Sequence, residues 1–548
     1  MPISADREPK VSKKTSSEPV QSHGLYLPAA APPPHTSAHR NLMERMNPLR
    51  MTSARLVPAL LLGLIGSCSS DSESPVASGS QPHRVLLISL DTLRADHTGF
   101  GGYSKETTPF LDSLAERGVV FDNHFSNSNC TLPSHATMLT GLHFPSHGVR
   151  PVKNPATESI HPLPESAITL AERFKEAGYA TTGFTAHGDW LTRKFGFAQG
   201  FDHFVGRYCD AELTIKDYLD LIDDQPVESS FTFLHFFDIH SDSSQSGPCM
   251  PYRSNGKLID EFAGAVPEGF TGCSLREGRE SNCASKYLQD LSLKIEPLPE
   301  DHRQYLIGLY DAGIRLLDNK LRILFEQLEE RGQLENTLVV ITADHGESFY
   351  EHETMLHDTH HDEVAQVPLI ILLPEKEGVA PRRVSALTQS TDLAATILEL
   401  SNLDPIGQVP SLARKIMLNE EIEDGLVMFQ GHVIIGRDEQ GEYKFIKTGN
   451  RKPPIFFDRS ADPEEQHNLL EGKDFKVDHR DRMVTVYKRL NDLFKECTDI
   501  KKVLDLGSVA TETLSAEEME SLRGLGYLGE TNTGSSEAPE RDSEEPTD

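Results

Sequence analysis

Residues 84–149 read RVLLISLDTLRADHTGFGGYSKETTPFLDSLAERGVVFDNHFSNSNCTLPSHATMLTGLHFPSHGV. The opening run, 85–90, is apolar apart from Ser89 and ends at the carboxylate of Asp91. A strand without polar alternation belongs to a sheet covered on both faces, the arrangement of mostly parallel sheets flanked by helices. Residues 108–117 then carry apolar side chains at helical spacing and stop at Gly118, a favoured residue just past a helix end; a second strand opens at 119–121. Forty residues beyond Asp91, the hydroxyl of Thr131 stands two residues ahead of Pro133. That proline and Gly141 predict a short helix over 133–140.

The same alternation continues outward. Residues 166–176 read as a helix ended by Gly178, and 180–185 as the strand that follows. The runs 231–237 and 337–342 are further buried strands, with a long amphipathic helix at 301–331 before the second. A strand at 367–373 and a helix at 392–400 complete the series. The class predicted is α/β: a mostly parallel central sheet with helices on both faces. Residues 241–300 break the rhythm and read as a loop insertion. From 405 onward, short runs at 426–430, 433–435 and 443–446 predict a small C-terminal antiparallel subdomain, followed by a helical segment at 480–496 and an acidic end at 535–548. The organisation predicted is a leader and tether over 1–82, a main domain over 83–404, the antiparallel subdomain over 405–470, and a helical and acidic tail over 471–548.

Acidic residues outnumber basic ones, 84 Asp and Glu against 53 Lys and Arg. Phosphate backbones select basic faces, so this balance argues against nucleic acid as a partner. An anionic substrate would need a local attraction, such as a metal ion. Within 46–55 lies a basic segment, Leu56 to Gly66 is a short apolar run, and Ser67-Cys68 follows: a secretory signal, too short to span a bilayer. Ile65-Gly66-Ser67-Cys68 resembles a bacterial lipobox, which implies lipid on Cys68. The chain is then expected to be exported and held at a membrane, in the periplasm or at the cell surface, by the flexible tether 69–82. Six other cysteines remain, Cys130, Cys209, Cys249, Cys273, Cys283 and Cys497. An even number in an exported protein predicts disulfides, with their pairing open.

Asp91 sits where one buried strand ends, and Asp344-His345 where another ends. In open α/β sheets ligands bind beyond the carboxyl ends of the strands, and two carboxylates with an imidazole there can bind a divalent ion. Thr131 completes the set, because a helix N-terminus carries partial positive charge that suits an oxyanion. A threonine hydroxyl alone is a weak nucleophile; a metal supplies the activation.

These segments resemble the sulfatase family of the alkaline phosphatase superfamily. Sulfatases carry Cys-x-Pro-Ser-Arg, whose cysteine becomes formylglycine and, hydrated, attacks sulfur; this chain has Thr131-Leu132-Pro133-Ser134-His135. Cys130 stands one residue too early, so formylglycine is not expected, and His135 replaces the arginine. The family's Asp-Asp pair has become Asp91-Thr92, and its GKWH-like segment is missing, with Ala186-His187-Gly188-Asp189-Trp190 near that place. Asp238-Ile239-His240 resembles the family's Asp-Pro-His segment, whose histidine contacts the ester or leaving group. Asp344-His345-Gly346-Glu347, followed by Glu351-His352, resembles its DHGE segment, and His357 falls where the family places a substrate-facing lysine or histidine. Residues 390–398, 457–469 and 514–527 match further family segments.

The resemblance implies an alkaline phosphatase-like fold and a metal-dependent hydrolase of sulfuric or phosphoric esters, with 83–404 as its catalytic domain. A divalent ion (calcium, zinc or manganese) would be held by Asp91, Asp344, His345 and Thr131. Thr131 would be the nucleophile, with His240, His357 and His135 as further catalytic residues. The expected partners are an anionic ester on a glycan or lipid head group, and the membrane through Cys68. Two alternatives stand beside this reading: a phosphotransferase moving a phospho-head-group to a glycan, and a non-catalytic glycan-binding relative. A second metal on Asp238, His240, Asp242 and one histidine of 352–361 is a further option. Arg94 is expected to pair either with the metal-binding carboxylates or with the next helix.

Overall fold

Strand β1, Arg84–Leu90, lies at the centre of an eight-stranded sheet with β2 Val119–Phe125, β3 Ala180–Thr185, β4 His203–Gly206, β5 Ser230–Phe236, β6 Thr337–Thr342, β7 Leu369–Leu372 and β8 Arg382–Gln389. The order across the sheet is β8-β2-β7-β6-β1-β5-β3-β4. Strand β7 is antiparallel to both neighbours and every other pair is parallel. The computed structural model describes residues 83–152, 159–186, 190–207, 209–241, 251–270, 272, 283–294, 298–448, 452–471, 477–506, 512, 513 and 515. The signal, Cys68 and the tether, together with His187, Asp189, Asp242, Cys249, Cys273 and most of 514–548, lie outside them.

The unbroken apolar run of β1 is explained by its two covered faces. Val85 and Leu87 pack with Leu132, Leu139, Phe174, Leu393 and Ile397, from the helices Thr131–Thr140 (α2), Leu170–Glu176 (α3) and Thr391–Leu400 (α6). Leu86, Ile88 and Leu90 pack on the other face with Leu114, Ile215, Leu309, Leu317 and Leu321, from Pro109–Ala115 (α1), Ala211–Asp224 (α4) and Glu300–Glu330 (α5). Burial of each such side chain stabilises by about 1.5–3 kcal/mol, so the position of β1 is strongly determined.

Two strands of the large sheet escaped the sequence reading. Both are edges: β4 is four residues long, and β8 begins with two arginines and exposes alternate residues in its first half. Helix α2 starts at Thr131 rather than at 133, with Cys130 as N-cap. The first helical residues have no intrahelical acceptor for their N–H groups, so Pro133 fits at the third position as readily as at the first. Among its described residues the insertion 241–300 holds two short helices, Gly256–Phe262 and Cys283–Ser292. A second sheet of four antiparallel strands, β9 Val427–Phe429, β10 Val433–Asp438, β11 Gly441–Ile446 and β12 Ile455–Asp458, follows. One of its faces meets Phe125 and Leu387, at the ends of β2 and β8; the other is covered by Val486, Leu490 and Cys497 of helix α7, Val477–Val503.

Candidate metal centre

Strands β6, β1 and β5 are adjacent and parallel, so their carboxyl ends open side by side. Asp91 follows β1 directly, and its backbone N–H donates to Phe236 O at the end of β5 at 3.0 Å. Asp344 and His345 lie just beyond β6, and Asp238 and His240 just beyond β5. Thr92 is held at φ 61°, a left-handed conformation that a β-branched residue adopts only under constraint. Three bonds supply the constraint: Thr92 N–H to Asp344 Oδ1 (3.2 Å), Thr92 Oγ1 to Ile239 O (3.3 Å), and Tyr310 O–H to Thr92 O (2.6 Å). The strained turn thereby ties the end of β1 to the end of β6.

Asp91, Asp344 and His345 each offer one ligand atom, and these atoms lie within 4.8 Å of one another, all buried. Their neighbours decide which atoms remain available. Asp344 Oδ1 accepts from the backbone N–H groups of Thr92 (3.2 Å) and His345 (2.9 Å), while Oδ2 has no hydrogen-bond partner. Asp91 Oδ2 accepts from His235 Nε2 (3.0 Å) and from the Thr131 hydroxyl (3.4 Å), while Oδ1 has none. His345 Nδ1 faces Gly346 O at 3.0 Å; a carbonyl only accepts, so Nδ1 carries the proton and Nε2 presents its lone pair. Two buried, orphaned carboxylate oxygens and one imidazole lone pair, with Thr131 Oγ1 3.5 Å from that Nε2, are the donor set a divalent cation takes.

Charge leads to the same conclusion. Among the described residues no lysine or arginine forms an ion pair with Asp91, Asp344 or Glu347; their pairings are with histidines. Burial pushes the Asp91 carboxyl up to about 7 and that of Glu347 up to about 8. Carboxylates so short of positive charge call for a cation.

The histidines form two groups, all buried. His240 and His357 are neighbours: their ring centroids are 5.5 Å apart, His357 is 4.6 Å from the His345 ring and its Nδ1 is 3.5 Å from Glu347 Oε2. His240 stacks on Phe237 at 4.3 Å. His135 lies within α2, its Nδ1 donating to Thr131 O (2.8 Å) and its Nε2 meeting Ser89 Oγ (2.9 Å). It braces the first turn of α2. His235, which sequence reasoning passed over, stands beside it with ring centroids 4.8 Å apart, edge to face. The signal that marks it is an imidazole among Phe233, Leu234, Phe236 and Phe237 in a buried strand. Glu347 was read only as part of a motif; Tyr252 O–H donates to its Oε1 at 3.1 Å.

Other expected residues settle elsewhere. Arg94 turns away from Asp91 and Asp344 to Asp96 and Glu351, each at 2.7 Å, and to Glu347 O at 3.0 Å. Asp238 Oδ1 accepts from Ala211 N at the start of α4 (3.1 Å). Among the described residues, Asp91, Asp344 and His345 form the one group of three metal-ligating side chains this close; Asp242, needed for the second-metal option, lies outside them. His352 pairs with Glu363 and His361 with Glu465. Cys209 and Cys497 are free thiols rather than disulfide partners.

Comparison with known proteins agrees with this architecture. An ulvan-active sulfatase of Formosa agariphila is 24% identical over 476 residues, covering 82% of this chain and 89% of that protein. A Δ4,5-hexuronate-2-O-sulfatase of Bacteroides thetaiotaomicron is 23% identical over 467 residues, covering 76% and 90%. The crystal structure of the phosphonate monoester hydrolase of Agrobacterium radiobacter shares the fold, with a TM-score of 0.56 and 19% identity over 76% of this chain and 96% of that one. The sulfatase family model itself matches residues 83–403. That span contains every strand of the large sheet and all four residues gathered at its carboxyl end, and the chain belongs to the sulfatase family, as an ester hydrolase.

Proposed function

We propose that this chain cleaves sulfuric or phosphoric esters by in-line attack of Thr131 Oγ1, with phosphoric esters served at least as well as sulfuric ones. The observation that carries the reading is the buried hydroxyl 3.4 Å from Asp91 and 3.5 Å from His345, at the position where the family's motif has cysteine. Asp91, Asp344 and His345, with Thr131, would hold the divalent metal that sulfatases use. The two carboxylates suit calcium, whereas His345 favours zinc or manganese. When bound, such an ion supplies positive charge against the substrate's non-bridging oxygens and lowers the pKa of an adjacent hydroxyl.

The chain's own groups do the rest. Thr131 stands at the first residue of α2, where the helix's partial positive charge favours the entering anion. His135 and Ser89 fix that turn. As the bond from Oγ1 to phosphorus or sulfur forms, the bond to the leaving oxygen breaks, and an imidazole N–H of His240 or His357 protonates that oxygen. Water then attacks the same centre and releases Thr131. A threonine ester lacks the elimination route open to a formylglycine hydrate, so its release depends wholly on this second attack. That favours phosphorus.

The names of the relatives point to a glycan-borne ester as substrate, and the Ile65-Gly66-Ser67-Cys68 segment supports export and anchoring through lipid on Cys68. The test is a panel of aryl sulfate, phosphate monoester, phosphate diester and phosphonate, run with the full chain and its Thr131→Ala variant. Turnover of phosphorus esters that disappears in the variant is expected. Turnover of aryl sulfate alone would overturn the phosphoester preference, and undiminished turnover by Thr131→Ala would overturn the nucleophile. Palmitate labelling that survives Cys68→Ser would overturn the anchor.

A further inference from the structure

His235 is fully buried and makes one hydrogen bond. Its Nε2 lies 3.0 Å from Asp91 Oδ2, and its Nδ1 has no partner. A carboxylate oxygen only accepts, so Nε2 carries the hydrogen and Nδ1 is a buried, unsatisfied lone pair. An orphan of that kind costs about 1–3 kcal/mol, which a residue present only to fill space in a strand of phenylalanines would not incur. The side of β5 that carries Phe231 and Phe233 also carries His235, and this is the α2 side. The imidazole can therefore reach under Asp91 at the end of the neighbouring strand.

The effect is to differentiate the two oxygens of Asp91. Oδ2 is occupied by the His235 N–H and by the Thr131 hydroxyl, and Oδ1 is left with no protein partner. For Asp344, two backbone N–H groups do the same job. Among the described residues Asp91 Oδ2 has no backbone donor, and a histidine contributed by a strand 144 residues away, with the Thr131 hydroxyl, takes that role.

We propose that His235 is a positioning residue for metal binding: its Nε2–H locks the Asp91 carboxylate in the orientation that presents Oδ1 to the cation. The inference rests on the reading of Asp91, Asp344 and His345 as the metal ligands. A carboxylate whose orientation is not fixed by such an outer partner binds its metal about 10–100-fold more weakly. His235→Phe keeps the ring and removes the donor; His235→Gln returns an amide N–H to nearly the place of Nε2.

The experiment is calorimetric titration of the metal-stripped full chain with Zn²⁺ and with Mn²⁺, alongside thermal melts of each metal-stripped protein. Wild type is expected to take up one equivalent, His235→Phe to bind about 10–100-fold more weakly, and His235→Gln to recover to within roughly threefold of wild type. The metal-stripped His235→Phe protein should melt close to wild type, since removal of the unsatisfied Nδ1 offsets the loss of one hydrogen bond to Asp91. Equal affinity in wild type and His235→Phe would overturn the inference and leave the ligand assignment standing. So would a His235→Gln protein as weak as His235→Phe, or a His235→Phe protein whose loss of affinity follows a fall in metal-free stability. Failure of wild type to bind Zn²⁺, Mn²⁺ or, in a parallel titration, Ca²⁺ would instead overturn the metal centre itself.

Discussion

Two clusters in this molecule are built from the same residue types and behave in opposite ways. At the strand ends, Asp91, Asp344 and Glu347 share their space with His235, His345 and His357, and burial raises Asp91 and Glu347 toward neutrality. Beside the small antiparallel sheet, Asp362, Glu363 and Glu465 sit with His352 and His361, whose rings stack at 3.5 Å. There Lys444 Nζ reaches Asp362 and Glu465 at 2.9 Å each, and Arg459 Nε reaches Asp362 at 2.9 Å. Burial opposes ionisation of Asp362, but Arg459 and Lys444 outweigh it and hold the carboxyl well below the usual carboxylate range. The second cluster contains its own cations. Among the described residues the first does not, and two of its carboxylate oxygens, Asp91 Oδ1 and Asp344 Oδ2, have no hydrogen-bond partner. A set of carboxylates and imidazoles therefore marks a metal site only where the protein has withheld the balancing charge.

The contrast can be broken by mutation, and the largest effect belongs to the first cluster. Thr131→Ala should lower turnover by roughly 10⁴-fold or more while most of the metal is retained, because the nucleophile is removed and the other three ligands are not. Steady-state kinetics with parallel metal analysis checks both halves. In the second cluster, Lys444→Met should lower unfolding free energy by about 3–5 kcal/mol, since it leaves Asp362 and Glu465 short of a buried partner. Denaturant unfolding should show that loss with no change in metal stoichiometry.

A smaller effect concerns pH. The buried histidines are held low, His135 to about 3 and His235 and His357 to about 4, all by burial first. Their influence on stability is confined to pH values below the ordinary histidine range, where the unfolded chain takes up protons that the folded chain refuses. Above pH 6.5 the carboxyl groups dominate: Asp91 at about 7 and Glu347 at about 8 hold protons in the folded state that the unfolded chain has already lost. Chelator-treated protein should therefore lose on the order of 1–2 kcal/mol between pH 6.5 and 8. Metal-loaded protein should not, because the bound charge offsets ionisation; thermal melts at the two pH values distinguish the cases. The smallest effect is expected at Cys130, the N-cap of α2. Cys130→Ser should change turnover by less than about twofold, serine being a good N-cap, and the wild-type peptide should show an unmodified cysteine mass.

Sequence alone revealed the sheet centre well and its margins poorly. The runs of β1 and β6 were readable because both faces are covered and no polar alternation interrupts them. Strand β8 was not, because an edge strand exposes alternate residues and opens with Arg382 and Arg383. At the site, Asp91, Asp344, His345 and Thr131 each stand at a strand end or helix start that local pattern can locate. His235 and Lys444 have no such marker. Their meaning comes from partners 144 and 82 residues distant, Asp91 and Asp362, which only the register of neighbouring strands and sheets brings close. The start of α2 was misplaced by two residues for a simpler reason, the tolerance of a first helical turn for proline anywhere within it.

The most direct measurement is the divalent metal content of the purified full chain and of its Asp344→Ala variant, by elemental analysis after removal of loosely bound ions. The arrangement of Asp91, Asp344 and His345 predicts about one equivalent per chain in the wild type and almost none in the variant. Equal occupancy in the two proteins, or a wild type that folds and turns over ester with no metal at all, would contradict it.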